Sequence, residues 1–129
     1  MNWLKILLIP AVVVLHGCAS MGMGTQPLSE LTEKYTDESS KFMAVDDLVI
    51  HYRDQGTGPT LVLLHGVGSS LHTWDGWVNR LEPHYRILRI DLPGHGLTGK
   101  DPRVKKYDIA YMIDKLDKFL NKLSIDEMY

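Results

Sequence analysis

Apolar and polar residues change their spacing several times along the chain, and each change predicts a different element. Residues 48–54 alternate between large apolar and other side chains, which predicts a half-buried strand. Residues 41–45 precede this segment across Asp46-Asp47 and predict an antiparallel partner in a hairpin. Residues 61–64 are a continuous apolar run after a Gly-Pro break, which is typical of a strand buried on both faces of a parallel sheet.

Helical spacing follows the apolar run. Large apolar side chains recur three or four residues apart at Trp74, Trp77, Val78 and Leu81. Ser69 or Ser70 is expected to cap this helix. Residues 86–91 then predict a short strand, so that strand, helix and strand form a right-handed crossover with parallel strands.

Residues 108–123 predict a second, amphipathic helix. The side chains expected on its apolar face are Ile109, Met112, Ile113, Leu116, Leu120 and Leu123. The order of elements predicts an α/β fold, with an antiparallel hairpin followed by a parallel β-α-β-α unit.

Composition narrows the range of possible functions. The 129 residues allow one domain at most, and 44% hydrophobic with 23% charged residues is ordinary for a globular chain. The net charge of −2 gives no reason to expect a nucleic-acid partner. Cys18 is the only cysteine, so an intramolecular disulfide is excluded.

The amino terminus has the pattern of an export signal. Lys5 precedes the apolar residues 6–15, which as a helix would extend about 15 Å, roughly half of a bilayer core. A charged start, a short apolar block and small residues predict a signal peptide over residues 1–17. Residues 18–40 are polar and predict a tether, with one weak helical turn near residues 29–35.

The segment Leu15-His16-Gly17-Cys18 resembles the bacterial lipoprotein box. This resemblance implies cleavage before Cys18 and lipidation of that cysteine, and Ala19 implies an outer-membrane anchor that faces the periplasm. An ordinary signal peptide with an incidental cysteine is the alternative.

Two short motifs carry the candidate chemistry. His65-Gly66-Val67-Gly68-Ser69-Ser70 follows the apolar strand, and Asp91-Leu92-Pro93-Gly94-His95-Gly96 follows the next strand. With the elements between them, residues 41–129 resemble the amino-terminal part of the α/β-hydrolase fold family. The resemblance implies that the Val67 N–H belongs to an oxyanion hole in a turn formed by Gly66 and Gly68. It implies that His65, Asp91 and His95 are structural residues near this site.

The resemblance also implies a nucleophile in a Gly-x-Ser-x-Gly turn, followed by an acid and a histidine. No such pentapeptide occurs in the chain, and the nucleophile, acid and base are all expected beyond it. The strand that leads to the nucleophile is expected to begin near residues 124–129. We therefore expect a sequence truncated before this turn and inactive by itself.

Three functions are compatible with these residues. A membrane-anchored serine hydrolase would act on esters or on related acyl or C–C bonds of a small-molecule substrate, without a cofactor. An epoxide hydrolase or haloalkane dehalogenase would use an aspartate nucleophile, but these relatives usually have proline where Gly68 stands. A non-catalytic lipoprotein, or a degenerate truncated gene product, is the third possibility.

The histidines do not predict a metal site, because no pair of them has ligand spacing with a third partner. The resemblance assigns to His65 the role of holding the turn. His51 is expected to be an exposed side chain on its strand, and Asp91 is expected to cap the following loop.

Overall fold

Four strands form one mixed sheet in the computed structural model, which describes residues 26–129. The strands are β1 (Ser40–Val45), β2 (Leu48–Gln55), β3 (Thr60–Leu64) and β4 (Arg86–Ile90), arranged in the order β1-β2-β4-β3. The helices are α1 (Leu28–Tyr35), α2 (Asp75–Leu81) and α3 (Ile109–Lys122), with short 3-10 helices at Leu71–Trp74 and Gly96–Thr98. The predicted signal peptide and Cys18 lie outside the described residues.

The predicted hairpin is confirmed to within one residue at each end. β1 pairs antiparallel with β2, and Val45 lies opposite Leu48 across the tight turn. Asp46 lies in this turn and has a φ of 54°, a conformation that aspartate adopts more readily than most residues. β2 continues the antiparallel pairing on its other side with β4.

β3 and β4 are parallel, as the strand-helix-strand pattern predicts. The expectation that β3 is buried on both faces is wrong for the described residues, since its side chains are half-buried and Leu64 is exposed. β3 lies at the edge of the sheet, which explains this exposure. Its outer side is paired with Tyr129, whose N–H donates to the Thr60 carbonyl and whose carbonyl accepts from the Val62 N–H, each at 2.9 Å.

The main core lies between one face of the sheet and α3. Phe119 is fully buried there and packs edge-on against Tyr52, with the ring centroids 5.0 Å apart. The other members of this core are Val45, Leu48, Ile50, Leu88, Ile90, Leu120 and Ile125. The predicted apolar face of α3 is therefore correct for Leu120 and for Leu116 and Leu123, which are partly buried against this core. It is wrong for Ile109 and Ile113, which are exposed.

The opposite face of the sheet is covered by the segment that follows β3. The single predicted helix is divided into the 3-10 helix Leu71–Trp74 and α2, with Leu71 and Val78 buried and Trp77 exposed. Ser70 occupies the position before the 3-10 helix, but its side chain makes no capping hydrogen bond.

Part of the predicted tether contacts the domain. α1 extends the weak helical turn that the sequence predicts, and Tyr35 at its end lies 5.9 Å from the His72 ring. Arg53 of β2 forms an ion pair with Asp37 at 2.8 Å, just after α1. The segment 28–37 is therefore held against the 3-10 helix Leu71–Trp74 by an aromatic contact and against the sheet by an ion pair.

Candidate functional site

The turn after β3 presents a backbone donor at the surface. Val67 is 98% exposed, and the turn is closed by the Ser69 N–H, which donates to the Gly66 carbonyl at 3.3 Å. Gly68 has a φ of +71°, which favours glycine. Within residues 26–129, no hydrogen bond is donated by the Val67 N–H. This amide is therefore available to an acceptor outside the described residues.

His65 joins this turn to the segment that follows β4. Its ring is buried, and its Nε2 accepts a hydrogen bond from the Leu92 N–H at 3.0 Å. An accepting Nε2 leaves the proton on Nδ1, which donates to the Gly66 carbonyl at 2.8 Å. With both nitrogens engaged inside the protein, His65 is a fixed support of the turn.

His95 lies beside His65, with 5.1 Å between the ring centroids. Its Nδ1 donates to the Pro93 carbonyl at 3.1 Å. The two histidines that the sequence places near the site thus contact each other where the loops after β3 and β4 meet.

Asp91 is the centre of a buried hydrogen-bond network. Its Oδ1 accepts from the Leu71 N–H at 2.7 Å, and its Oδ2 accepts from the Leu97 N–H at 2.8 Å and from His51 Nδ1 at 2.8 Å. Burial by itself raises the pKa of Asp91, but these hydrogen bonds together hold that pKa below the ordinary value for aspartate. The carboxylate does more than cap the following loop, because it also holds the residue at which the 3-10 helix after the Val67 turn begins.

The expectation that His51 is exposed is wrong, since its side chain is completely buried. The loop after β4 covers this face of β2, and Thr98 Oγ1 accepts from the His51 N–H at 2.9 Å and donates to the Asp91 carbonyl at 2.6 Å. Phe42 of β1 covers the ring from another side, with a centroid separation of 4.8 Å. Asp91 and Thr98, the hydrogen-bond partners of His51, come 40 and 47 positions later, so the local alternation of β2 contains no signal for this pairing.

Two buried arginines lie on the same face of the sheet, directly opposite each other on β2 and β4. Arg89 is hydrogen-bonded to Asp75 and to Gln55, while Arg53 is paired with Asp37. Burial raises the pKa of the Asp75 carboxyl, but hydrogen bonds from His72 and Arg89 more than offset this effect and leave that pKa lowered. Carboxylates thus compensate both arginines, which gives this cluster a structural role.

A cavity of about 350 Å³ lies between α1 and the loops after β3 and β4. Its walls include Leu31 and Tyr35 of α1, together with Ser70, His72 and Leu97. The Val67 turn is not among these walls.

Three features are absent from residues 26–129. These residues contain no group of three His, Cys, Asp or Glu side chains placed to hold a metal ion. None of their helices has both the length and the apolar character needed to cross a bilayer. In the same range no serine hydroxyl is hydrogen-bonded to a histidine ring, and Ser69 Oγ lies against Thr73 Oγ1 instead.

The residues of this site lie in a region that is similar to a known family. A sequence profile for the alpha/beta hydrolase fold matches residues 59–129, which include the Val67 turn and the Asp91 segment.

Two curated relatives represent different chemistries. The pimeloyl-[acyl-carrier protein] methyl ester esterase of Vibrio vulnificus is 53% identical over 47 residues, which are 36% of this chain and 18% of the relative. The bifunctional epoxide hydrolase 2 of Rattus norvegicus is 30% identical over 79 residues, which are 60% of this chain and 14% of the relative. The chain thus spans less than a fifth of either protein.

A solved structure of a haloalkane dehalogenase variant from Bradyrhizobium elkanii superimposes with a TM-score of 0.66. The sequence identity is 28%, and the match covers 70% of this chain and 30% of the dehalogenase.

Proposed function

Because the chain belongs to the α/β-hydrolase fold family, we propose that it is the amino-terminal part of a serine hydrolase that acts on esters or related acyl or C–C bonds of small molecules. The observation that carries this proposal is the Val67 N–H, which makes no hydrogen bond within residues 26–129 and lies in an exposed turn beside Gly66 and Gly68. The identity of 53% to an esterase over 47 residues favours an ester among the family's substrates.

In the proposed reaction, a serine oxygen attacks the acyl carbon and the carbonyl oxygen gains negative charge. The Val67 N–H donates to that oxygen, and a second backbone N–H comes from the residue after the serine. The alcohol then leaves with a proton, and water releases the acid from the acyl-enzyme. Such a donor stabilises the transition state without reorganisation, which makes each one worth about 2.7–4 kcal/mol.

The role of Val67 can be tested in the product of the complete reading frame. Val67→Pro removes the N–H, and we expect kcat for a nitrophenyl ester to fall about 10²–10³-fold. Val67→Ala is the matched control, because it shortens an exposed side chain and keeps the donor. Equal activity of the two variants would contradict the proposed oxyanion donor.

The nucleophile itself can be identified from the nucleotides that follow the Tyr129 codon. A continuing frame that soon encodes Gly-x-Ser-x-Gly supports the serine enzyme. A stop codon directly after Tyr129 would instead support a non-catalytic lipoprotein or a degenerate gene product.

An aspartate nucleophile is the second candidate. The epoxide hydrolase relative aligns over 79 residues, a longer stretch than the alignment with the esterase. The haloalkane dehalogenase has the same fold in the region that superimposes on this chain. Gly68, where such enzymes usually have proline, argues against it. An aspartate in the downstream nucleophile turn, together with turnover of epoxides or haloalkanes but not of esters, would favour this candidate.

We also propose that the protein is exported and anchored to the outer membrane through a lipidated Cys18. The support is the sequence alone: a signal-like segment over residues 1–17, a lipoprotein-like box, and Ala19 after the cysteine. Mass spectrometry of the mature amino terminus tests this, and an unmodified Cys18 would exclude the anchor.

A further inference from the structure

His51 and Asp91 form a fully buried pair that takes no direct part in the proposed reaction. Their side chains are 0% and 1% exposed, and 2.8 Å separates His51 Nδ1 from Asp91 Oδ2. The carboxylate is the acceptor, so Nδ1 carries the proton. His51 Nε2 is buried and has no partner within residues 26–129. Within residues 26–129, the His51 ring therefore makes one hydrogen bond, and its partner is Asp91.

Asp91 connects His51 to the segment that carries the candidate oxyanion donor. Its other oxygen accepts from the N–H of Leu71, four residues after Val67. The segment is held at its opposite end by His65, whose ring accepts from the Leu92 N–H. Both ends of residues 66–70 are thus fixed by groups at the end of β4, one through a histidine ring and one through a carboxylate.

We infer that His51 is a positioning residue for the Val67 N–H and acts through Asp91 and the Leu71 amide. This inference rests on the proposed function, since it assigns His51 a part in the same oxyanion site. Without His51, Oδ2 keeps the Leu97 N–H as its hydrogen-bond donor, and rotation of the carboxylate is less restricted. A displaced acceptor for Leu71 would let residues 66–70 shift, and a shift of about 1 Å in a catalytic group costs about a hundredfold in rate.

The experiment compares two variants of His51 in the product of the complete reading frame. His51→Leu removes the donor, and we expect kcat for a nitrophenyl ester to fall about tenfold to hundredfold, with KM changing less than about threefold. His51→Asn places an amide N–H where Nδ1 lies, and we expect kcat within about threefold of the wild type.

Ile50→Val controls for a loss of stability alone. Ile50 is as buried as His51. The two residues are neighbours in β2, but Ile50 lies on the opposite face of the strand, in the core against α3. We expect Ile50→Val to keep the kcat of the wild type at a temperature where Ile50→Val and His51→Leu are both folded. In ¹⁵N-labelled protein, the amide signals of Val67 and Leu71 should move in His51→Leu and stay in place in Ile50→Val.

Two negative results are distinguishable. An active enzyme whose kcat is unaffected by His51→Leu, or falls equally in Ile50→Val, would overturn the role of His51 and leave the proposed function intact. A wild-type product that hydrolyses neither esters nor related acyl or C–C bonds would refute the proposed function itself, and the role of His51 would be refuted with it.

Discussion

At the residue scale, the hydrogen-bond network around Asp91 depends on the glycine at position 96. Gly96 has a φ of +48°, and a methyl group placed on it would lie 2.2 Å from the Asp91 carboxyl carbon. The loop after β4 can therefore approach the carboxylate closely enough for the Leu97 N–H to reach it only with glycine at this position.

Gly96→Ala should consequently destabilise the protein. The left-handed backbone costs roughly 1–2 kcal/mol for alanine, and the clash with Asp91 adds a further 1–3 kcal/mol, roughly, through displacement of the loop. Urea unfolding of the complete reading-frame product measures the change. Gly76→Ala is the control, because Gly76 lies in α2 with open space around it, and alanine there should stabilise by about 0.5–1 kcal/mol. Equal stability of both variants would contradict the geometry of the network.

A second residue-scale prediction concerns Asp46 and acid stability. Hydrogen bonds from Lys115 and Lys118 lower the pKa of Asp46 to about 2. A carboxylate with a lowered folded-state pKa stabilises the protein above the unfolded value, and this contribution is lost as the pH falls through the folded value. The window therefore runs from about pH 4 to about pH 2.

Asp46→Asn tests this window, because asparagine also tolerates the positive φ of the turn. We expect a lower urea midpoint than the wild type at pH 6, and a difference that shrinks towards pH 2. Asp126→Asn is the control, since no ion pair within residues 26–129 involves Asp126. A difference for Asp46→Asn that is constant with pH would show that the lysines do not act through its charge.

At the element scale, Phe119 is the most deeply buried residue of α3. This ring is completely buried against Tyr52, whereas Ile113 on the same helix is 60% exposed. Phe119→Ala should cost about 3–5 kcal/mol, because it removes a large buried side chain and leaves a cavity. Ile113→Ala should change stability by less than about 0.5 kcal/mol. Chemical denaturation compares the two, and a larger loss for Ile113→Ala would contradict the orientation of α3.

The same helix shows how far the sequence could predict this fold. Periodicity correctly located the strands and α3 to within about a residue, since spacing and turn residues are local signals. It predicted Leu116, Leu120 and Leu123 as core residues of this helix, but it missed Phe119 and wrongly included Ile109 and Ile113. It also gave no sign that Lys115 is buried, because that burial depends on a contact with Asp46 of the distant β1–β2 turn. For the site, the motif predicted the Val67 turn, but the burial of His51 depends on a loop about 40 residues later.

At the scale of the whole molecule, β3 is an edge strand with an apolar side chain exposed. Leu64 is 39% exposed, and Tyr129 provides the pairing along the outer side of β3 within the described residues. An unpaired apolar edge invites association with other chains. The four strands and three helices of residues 26–129 also bury little apolar surface for the entropy lost on folding.

We therefore expect residues 26–129, expressed alone, to lack a cooperative thermal transition and to elute in size-exclusion chromatography as oligomers or aggregates. The parallel pairing of Tyr129 with Thr60 and Val62 indicates where a further strand would cover this edge. If the reading frame continues, its longer product should unfold cooperatively, because pairing along the whole of β3 satisfies the exposed backbone groups and buries Leu64. Circular dichroism during heating, run on both proteins at the same concentration, makes the comparison. A soluble monomer of residues 26–129 with a sharp transition would contradict this expectation, and would mean that the core against α3 is sufficient to stabilise the sheet with β3 at its edge.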